Sequence, residues 1–214
     1  MTTLLAPKPS PVARRGRRST QRKLDLLLEA AATLIAGQGF EATTIRDVGR
    51  KAEASLAGMY YYFASKEELL YQIQSRTFSS LLAAQEETAG IPGSAEERLR
   101  RLLVGHLTFF ARHPNEMKVC TYEMESLKGE YYAQVEEVRR RYFVVMAEVV
   151  ADLVGKAGKK SRESKVRRVT LYIFGMLNWV FMWHRPEKDG PVEELASEMF
   201  DLLIKGIGNG ATAR

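Results

Sequence analysis

Residues 43–66 constrain the fold of this chain more than any other stretch. The segment TTIRDVGRKAEASLAGMYYYFASK predicts two very short helices around a tight turn, followed by the start of a third. An isolated helix of fewer than roughly 12–15 residues is at best marginally stable in water. Neither short helix could therefore persist alone, and other parts of the chain must hold the pair in place.

Capping residues mark where these helices begin. Thr44 and Asp47 have the spacing of a capping box, in which the threonine oxygen accepts a hydrogen bond from the backbone amide of Asp47. Ser55 is a suitable N-cap for the second short helix. Ser65 and Glu68 repeat the capping-box spacing and predict the start of a longer fourth helix.

Helical periodicity continues on both sides of this segment. Apolar residues recur at helical spacing between Leu24 and Ile35, which predicts a first helix over about 19–36. After the fourth helix, the same spacing predicts further helices, separated by breaks that contain glycine or proline. The second half of a predicted helix over 162–184 is apolar on every side, which is typical of a helix buried all round. Because no stretch convincingly predicts a strand, the expected fold is all-α.

The positive charge of the chain is concentrated in its first third. The net charge is +6, and residues 14–66 carry ten Lys or Arg against five Asp or Glu, whereas residues 67–214 carry 21 of each sign. A basic unit attached to a balanced remainder indicates a polyanionic partner, most simply nucleic acid. Residues 1–18, rich in proline and arginine, predict a disordered basic arm that either solubilises the chain or contacts phosphates.

Composition argues against several other classes of function. The single cysteine, Cys120, rules out an intramolecular disulfide and fits a reducing cytoplasm. The longest apolar run, 169–183, is shorter than the roughly 20 residues of a membrane span and contains Asn178. The chain has neither a glycine-rich phosphate loop nor a metal-spaced cluster, and its three histidines are scattered. An enzyme is therefore disfavoured, and we predict no catalytic residue, metal or cofactor.

The two short helices match a helix-turn-helix that reads DNA. In such motifs the second helix enters the major groove with its N-terminal residues facing the base edges. Small residues early in this helix would let its backbone approach DNA, and flanking polar groups would hold phosphates. Tyr60 and Phe63 are expected to pack this helix onto the first one. The predicted DNA-binding residues are Arg17, Arg18, Thr43, Thr44, Arg46, Ser55, Leu56, Ala57, Gly58, Tyr61, Tyr62 and Lys66.

The same region follows a known family pattern. The matching residues are Thr43, Thr44, Ile45, Val48, Ala52, Ser55, Tyr60, Phe63, Ser65, Lys66, Glu67 and Leu69. In type and spacing they resemble the signature of the TetR/AcrR family of one-component transcription regulators. Residues 30–35, followed by Gly39 and Phe40, are similar to the end of that family's first helix.

The chain departs from the family pattern at three points. Gly49 stands where alanine is usual, and Glu53 with Ala54 replaces the common Gly-Val of the turn. Ala57 and Gly58 shift the usual glycine by one position. Glu53 places a carboxylate near the turn, which would lower DNA affinity or tune specificity. None of these departures removes the residues predicted to bind phosphates.

The resemblance implies an N-terminal three-helix helix-turn-helix DNA-binding domain over 19–66 and a C-terminal helical ligand-binding and dimerisation domain over 67–214. Residues 166–183 and 195–207 carry more apolar surface than one small bundle needs to bury, which independently favours a homodimer. A two-fold dimer would place two reading helices about 34–36 Å apart on one face of double-stranded DNA. The expected operator is therefore a palindrome or near-palindrome, and repression is the usual outcome in this family.

A narrower resemblance suggests the ligand. Asn178, Trp179 and segment 183–191 are similar to the tail of a TetR subgroup that includes acyl-CoA-responsive regulators of lipid or sterol breakdown. The leading expectation is an acyl-CoA thioester or fatty-acid-like effector. A drug-like or aromatic effector and a ligand-independent DNA-binding protein are the alternatives. The predicted ligand-binding residues, each also compatible with ordinary core packing, are His106, Phe110, Met117, Tyr122, Arg141, Tyr142, Phe174, Asn178 and Trp179.

Overall fold

The computed structural model describes residues 11–154 and 159–208, and helices account for most of them. No strand occurs in these two ranges, so the all-α prediction is confirmed. The chain divides into two compact units, one up to Leu70 and one from Tyr71 onward. No helix in the described ranges is long and apolar enough to cross a membrane.

The first unit contains three helices and the start of a fourth. They are α1 (Pro11–Gln38), α2 (Ile45–Lys51), α3 (Leu56–Tyr62) and α4 (Lys66–Gly90). Helix α1 begins at Pro11 and not at about residue 19, so residues 11–18 extend the helix instead of forming an arm. Proline suits the first position of a helix, and arginine has a high helix propensity, which together favour this early start. The rest of the predicted arm, 1–10, lies outside the described residues.

A shared apolar core holds the two short helices in place. Val48 of α2 and Met59 of α3 are fully buried, as is Phe63, which directly follows α3. Helix α2 packs against both α1 and α3, and Leu27 and Ala31 of α1 are also completely inaccessible to solvent. The long first helix therefore supplies the scaffold that the short helices require, because their stability comes from packing and not from their own length.

The second unit continues α4 and adds the remaining helices. These are α5 (Ala95–Arg112), α6 (Pro114–Tyr122), a short 3-10 helix (Met124–Ser126), α7 (Gly129–Leu153), α8 (Lys159–Trp183), α9 (Pro186–Asp189) and α10 (Val192–Gly208). Ser94 and Glu97 form a complete capping box at the start of α5. Pro114 occupies the first position of α6, so the chain turns there without losing a hydrogen bond.

Helix α5 lies at the centre of this unit and packs against α7, α8 and α10. Leu99, Leu102 and Leu103 of α5 are fully buried together with Met146 of α7 and Leu177 of α8. These side chains belong to one contiguous apolar core, which fixes the buried face of α5. Cys120 of α6 is also buried, and burial raises the pKa of its thiol.

Helix α8 differs from the prediction that it is buried on every side. Ile173 and Leu177 are buried in the core, whereas Leu171, Tyr172 and Trp179 are 43%, 62% and 57% exposed. The described helices cover only one face of α8. Its opposite face is a large apolar surface in contact with solvent, and such surfaces mark interaction sites.

Candidate DNA-reading surface and effector cluster

The N-terminus of α2 is fixed by the predicted capping box. The backbone amide of Asp47 donates to Thr44 Oγ1 at 3.1 Å, and the amide of Thr44 donates to Asp47 Oδ2 at 3.2 Å. The hydroxyl and amide of Thr44 hold the pKa of the Asp47 carboxyl below its usual value, because they stabilise the carboxylate. Thr44 is exposed, as expected for a DNA contact, and its hydroxyl also positions the start of α2.

The turn between α2 and α3 is unusually tight. Glu53 adopts a φ of +50°, in the left-handed region that favours glycine. The amide of Ala54 donates to the carbonyl of Gly49 at 2.8 Å. A Cβ atom on Gly49 would lie 3.0 Å from the Ala54 carbonyl oxygen and 3.2 Å from Cγ of Met59. Gly49 therefore lets the turn and α3 approach α2 closely, and two of the departures from the family pattern meet in this one turn.

The register of α3 differs from the prediction at one residue. Phe63 is buried as expected, but Tyr60 is 55% exposed and the inward position is taken by Met59, which is fully buried. Tyr61 lies outward as predicted, with 78% of its surface exposed. Tyr62 is half-buried and contacts the rings of Tyr61 and Phe63. Tyr60 points about 100° away from Met59 around the helix, and on α3 this direction faces solvent.

Most of the predicted DNA-binding residues form one exposed surface on α2 and α3. Arg46 and Arg50 are one helical turn apart on α2, and both are exposed, although sequence reasoning included only Arg46. The spacing of four residues could have identified Arg50 from the sequence, because it places both arginines on the same face of α2. Lys51 and Tyr60 are further exposed residues that the prediction missed. The predicted residues that are exposed or half-buried here are Thr44, Arg46, Ser55, Leu56, Ala57, Gly58, Tyr61 and Tyr62.

Two residues predicted to contact DNA make hydrogen bonds within the fold. Thr43 is 1% exposed, and its hydroxyl donates to the carbonyl of Gly39 at 2.8 Å. The Lys66 ammonium donates to the carbonyl oxygens of Phe40 and Glu41 at 3.1 and 3.4 Å. Both side chains stabilise the connection between α1 and α2; Thr43 is buried there, whereas Lys66 stays partly exposed. The side chains of Arg17 and Arg18 lie outside the described part of the chain.

An aromatic cluster in the second unit gathers four of the predicted ligand-binding residues. His106 Nδ1 lies 2.6 Å from the Tyr142 hydroxyl, and both residues are buried. The His106 ring stacks on Phe110, with 4.2 Å between ring centres, and the Phe174 ring meets Tyr142 edge-on at 5.2 Å. Helices α5, α7 and α8 each contribute to this cluster, so its geometry depends on how the three helices pack.

The buried pair in this cluster includes a poorly satisfied hydrogen-bonding group. Burial lowers the pKa of His106 to about 3, against a weaker opposing hydrogen bond with the Asn178 side chain, and burial also raises the pKa of Tyr142. Both groups are therefore neutral at physiological pH, with two polar protons between them. One proton forms the hydrogen bond between the two side chains. His106 Nε2 makes no hydrogen bond of good geometry in the described ranges, so one polar group of the pair is left unsatisfied inside the core.

The other predicted ligand-binding residues are more scattered. Met117 is buried, whereas Tyr122 is 48% exposed and its hydroxyl contacts the sulfur of Met182. Arg141 is exposed and pairs with Glu86 at 2.8 Å. Asn178 and Trp179 are exposed on α8, so Trp179 does not face the buried cluster. The described ranges contain no group of His, Cys, Asp or Glu that could hold a metal ion.

Comparison with known protein families decides the identity at family level. Residues 27–73 match the family of bacterial regulatory proteins called the tetR family, and residues 92–207 match the tetracyclin repressor-like C-terminal domain. The second match alone covers more than half of the chain. The chain belongs to the TetR family. Members of this family are DNA-binding transcriptional regulators, and the resemblance noted between residues 43 and 69 is confirmed.

Individual relatives of this TetR protein cover most of its length. The fatty acid metabolism regulator protein of Bacillus subtilis (strain 168) is 21% identical over 184 residues, which span 86% of this chain and 94% of the relative. The crystal structure of the TetR regulator PfmR from Thermus thermophilus matches with 27% identity and a TM-score of 0.74, covering 84% of this chain and 97% of PfmR. AibR, solved in complex with isovaleryl coenzyme A and operator DNA, has 20% identity and a TM-score of 0.74, with 84% and 97% covered. At that identity, the AibR match establishes the shared fold alone.

This TetR protein also has an open groove that sequence reasoning did not predict. The groove has a volume of about 590 Å³ and lies between α4 and the face of α5 opposite His106. Arg101 and Arg112 contribute cationic groups to its wall. None of the predicted ligand-binding residues lines it. The lining residues are Ala84, Thr88, Ile91, Arg100, Arg101, Val104, Gly105, Thr108, Phe109, Arg112 and His113.

Proposed function

We propose that the protein is a homodimeric repressor that binds palindromic operators and is released by a small hydrophobic effector. The best candidate for this effector is an acyl-CoA thioester or another fatty-acid derivative. The observation that carries the effector proposal is the buried pair of His106 and Tyr142, in which His106 Nε2 makes no hydrogen bond of good geometry within aromatic walls. A buried polar group without a good partner is costly, and a ligand that supplies the partner removes this cost.

The chemistry of the cluster favours a neutral polar group on the effector. His106 and Tyr142 are both uncharged at physiological pH, so they offer no electrostatic compensation to a buried carboxylate. A thioester carbonyl is an uncharged acceptor, and an acyl chain is an apolar body that suits the rings of Phe110 and Phe174. The relatives point the same way, since one is named a fatty acid metabolism regulator and another was solved with isovaleryl coenzyme A.

The exposed face of α8 supports the homodimer. Leu171, Tyr172, Trp179 and Met182 are between 39% and 62% exposed on this helix, and Leu202 of α10 is 65% exposed. A second copy of the chain would remove this apolar surface from water. An isologous two-fold interface would present two α3 helices in related orientations, which is why the operator should be palindromic.

A drug-like or aromatic compound is the second candidate effector. The stacked rings of His106 and Phe110 and the nearby Phe174 ring offer flat surfaces that suit a planar aromatic ligand. A compound of this type would need a hydrogen-bonding group for the same poorly satisfied pair. Hydrogen bonding therefore does not separate the two candidates, whereas dependence on acyl-chain length does.

A thermal-shift screen followed by a DNA-release assay tests the proposal. Acyl-CoA thioesters of increasing chain length are compared with free coenzyme A and with the corresponding free fatty acids. By linkage, an effector that prefers the DNA-free protein must weaken DNA binding by the same factor by which DNA weakens effector binding. We expect stabilisation and release by thioesters of a preferred length. If no thioester of any length stabilises the protein, the acyl-CoA proposal is wrong.

Two matched variants locate the binding site. Tyr142→Phe changes the hydrogen-bonding pattern of the cluster while preserving its volume, and Arg112→Ala removes a cation from the groove on the other face of α5. We expect Tyr142→Phe to alter thioester affinity and Arg112→Ala to leave it unchanged. The opposite result would place the effector in the groove lined by Arg101 and Arg112.

A further inference from the structure

We infer that α3 reads thymine methyl groups, so that each half of the operator places thymine under Leu56 and Ala57. The inference rests on the proposed operator binding and adds the chemistry by which bases are distinguished. Its basis is the unusual set of side chains on the exposed face of α3, together with the position of the cations on α2.

The exposed face of α3 carries no side chain that can form a paired hydrogen bond with a purine. Bidentate recognition of guanine requires Arg or Lys, and that of adenine requires Asn or Gln. Helix α3 has the sequence LAGMYYY and contains none of these residues. Its first turn presents Leu56, which is 42% exposed, and Ala57, which is also exposed. Apolar contact with the methyl group of thymine is the direct readout that such residues can perform.

The polar group closest to this turn is already engaged. Ser55 Oγ accepts a hydrogen bond from the backbone amide of Gly58 at 3.0 Å, which caps α3. The hydroxyl keeps one donor, but the side chain is held against the helix terminus. Hydroxyl readout is available farther along α3, from the exposed Tyr60 and Tyr61. The N-terminal turn, which approaches base edges most closely in this motif, remains apolar.

The cations of this surface belong to α2. Arg46, Arg50 and Lys51 are all exposed, and Arg50 pairs with Asp47 at 3.6 Å. In helix-turn-helix complexes the first helix of the motif crosses the DNA backbone, where cations contact phosphates and carry no sequence information. Charge and sequence readout are therefore separated, with affinity supplied mainly by α2 and methyl contacts supplied by α3.

Leu56 is not needed by the core of its own chain. Met59 and Phe63 fill the buried side of α3, whereas Leu56 retains close to half of its surface in water. A leucine at this position gains apolar burial only when another surface covers it. A buried methyl group contributes roughly 0.8 kcal/mol of transfer free energy, which corresponds to about fourfold in affinity.

Thymine-to-deoxyuridine replacement tests the inference on the full-length protein. An operator is first obtained by in vitro selection from random duplex DNA, and each thymine of a half-site is then replaced singly. Deoxyuridine lacks the 5-methyl group but keeps the same base pairing. We expect a loss of about fourfold in affinity at one or two positions of each half-site and little change elsewhere.

The variant Leu56→Ala connects the lost methyl group to the side chain. At a thymine that Leu56 contacts, this variant should bind the thymine and deoxyuridine duplexes almost equally, because the partner of the methyl group is gone. Tyr61→Phe is the matched control, and it should retain the full difference at that position. Thermal unfolding should be close to that of the wild-type protein for both variants, since both residues are exposed.

The possible outcomes separate this inference from the proposed function. Selection of operators whose affinity is insensitive to every thymine methyl would overturn the inference and leave operator binding intact. The same conclusion follows if Leu56→Ala retains the full thymine preference. Failure to select any DNA sequence would overturn operator binding itself, and the inference with it.

Discussion

The ammonium of Lys66 lies 4.2 Å from the centre of the Phe40 ring and donates a hydrogen bond to the carbonyl of the same residue. This side chain connects the start of α4 to the segment between α1 and α2. We expect Lys66→Met, which keeps the length but removes the charge, to lower the free energy of unfolding by roughly 1–3 kcal/mol. Denaturant unfolding measures this change.

The matched control for Lys66 is Lys51→Met, at an exposed lysine of α2. It should leave stability within about 0.5 kcal/mol of the wild-type value. DNA affinity is expected to fall for Lys51→Met through loss of a cation. A Lys66→Met variant that is as stable as wild type but binds DNA poorly would restore Lys66 as a direct DNA contact.

The left-handed backbone at Glu53 predicts that glycine is the better residue there. A side chain at positive φ costs roughly 1–2 kcal/mol, and glycine loses about 0.5–1 kcal/mol through the flexibility of the unfolded chain. Glu53→Gly should therefore raise the free energy of unfolding by up to about 1 kcal/mol. Glu53→Gln, which removes only the charge, should give no such gain in denaturant unfolding. Equal stability of both variants would show that the turn is not strained.

The register of α3 predicts opposite effects for two neighbouring substitutions. Met59→Ala creates a cavity in a fully buried position and should destabilise the protein by roughly 2–5 kcal/mol. Tyr60→Ala should leave stability nearly unchanged and weaken DNA binding, because Tyr60 is exposed beside Tyr61. Thermal unfolding and fluorescence anisotropy with labelled operator separate the two effects. A large loss of stability in Tyr60→Ala would favour the originally expected inward position.

His106 predicts a pH dependence of stability with a definite sign. The pKa of His106 is about 3 in the folded protein and near 6.5 in the unfolded chain. The contribution of His106 to the stability of the folded protein is therefore complete above pH 6.5 and is lost as the pH falls. Between pH 7 and pH 5 the free energy of unfolding should fall by about 2 kcal/mol more in the wild-type protein than in His106→Gln, because glutamine does not titrate. Denaturant unfolding at both pH values measures the difference. Parallel losses in the two proteins would mean that His106 is solvated.

The exposed face of α8 predicts that a charge at its centre prevents association. Tyr172→Glu places a carboxylate on this face, where a second copy would have to bury it without a partner. The dimer dissociation constant should rise roughly a hundredfold or more, as measured by sedimentation velocity. Tyr132→Glu, at a 42% exposed tyrosine of α7, is the control and should leave association unchanged. A Tyr172→Glu protein that remains dimeric would exclude this face as the interface.

Local signals in the sequence predicted the helix boundaries well. The capping box at Thr44 is confirmed, because it depends on residues only three positions apart. At Ser65 the prediction holds in part: its Oγ caps Glu68, but the Glu68 carboxylate accepts from the amide of Ala64 and not from that of Ser65. The start of α1 at Pro11 was not predicted. The prolines and the glycine near the N-terminus led us to expect a disordered arm there, although the arginines in the same stretch favour a helix.

Features that depend on tertiary packing were harder to predict. A helix of seven residues has too few positions to establish which of Met59 and Tyr60 faces inward. The hydroxyl of Thr43 and the ammonium of Lys66 are polar groups whose partners are backbone carbonyls, and residue identity does not reveal such partners. The apolar sequence of α8 predicted burial on every side, but the described helices bury only one of its faces.

The exposed face of α8 has a spectroscopic consequence. The chain contains two tryptophans, Trp179 and Trp183, which are 57% and 45% exposed on this helix. The unit up to Leu70 contains none. Indole emission shifts to shorter wavelengths when the ring leaves water, so intrinsic fluorescence of the natural protein reports on this one surface. Self-association can therefore be followed without any label, against a DNA-reading unit that contributes no indole signal.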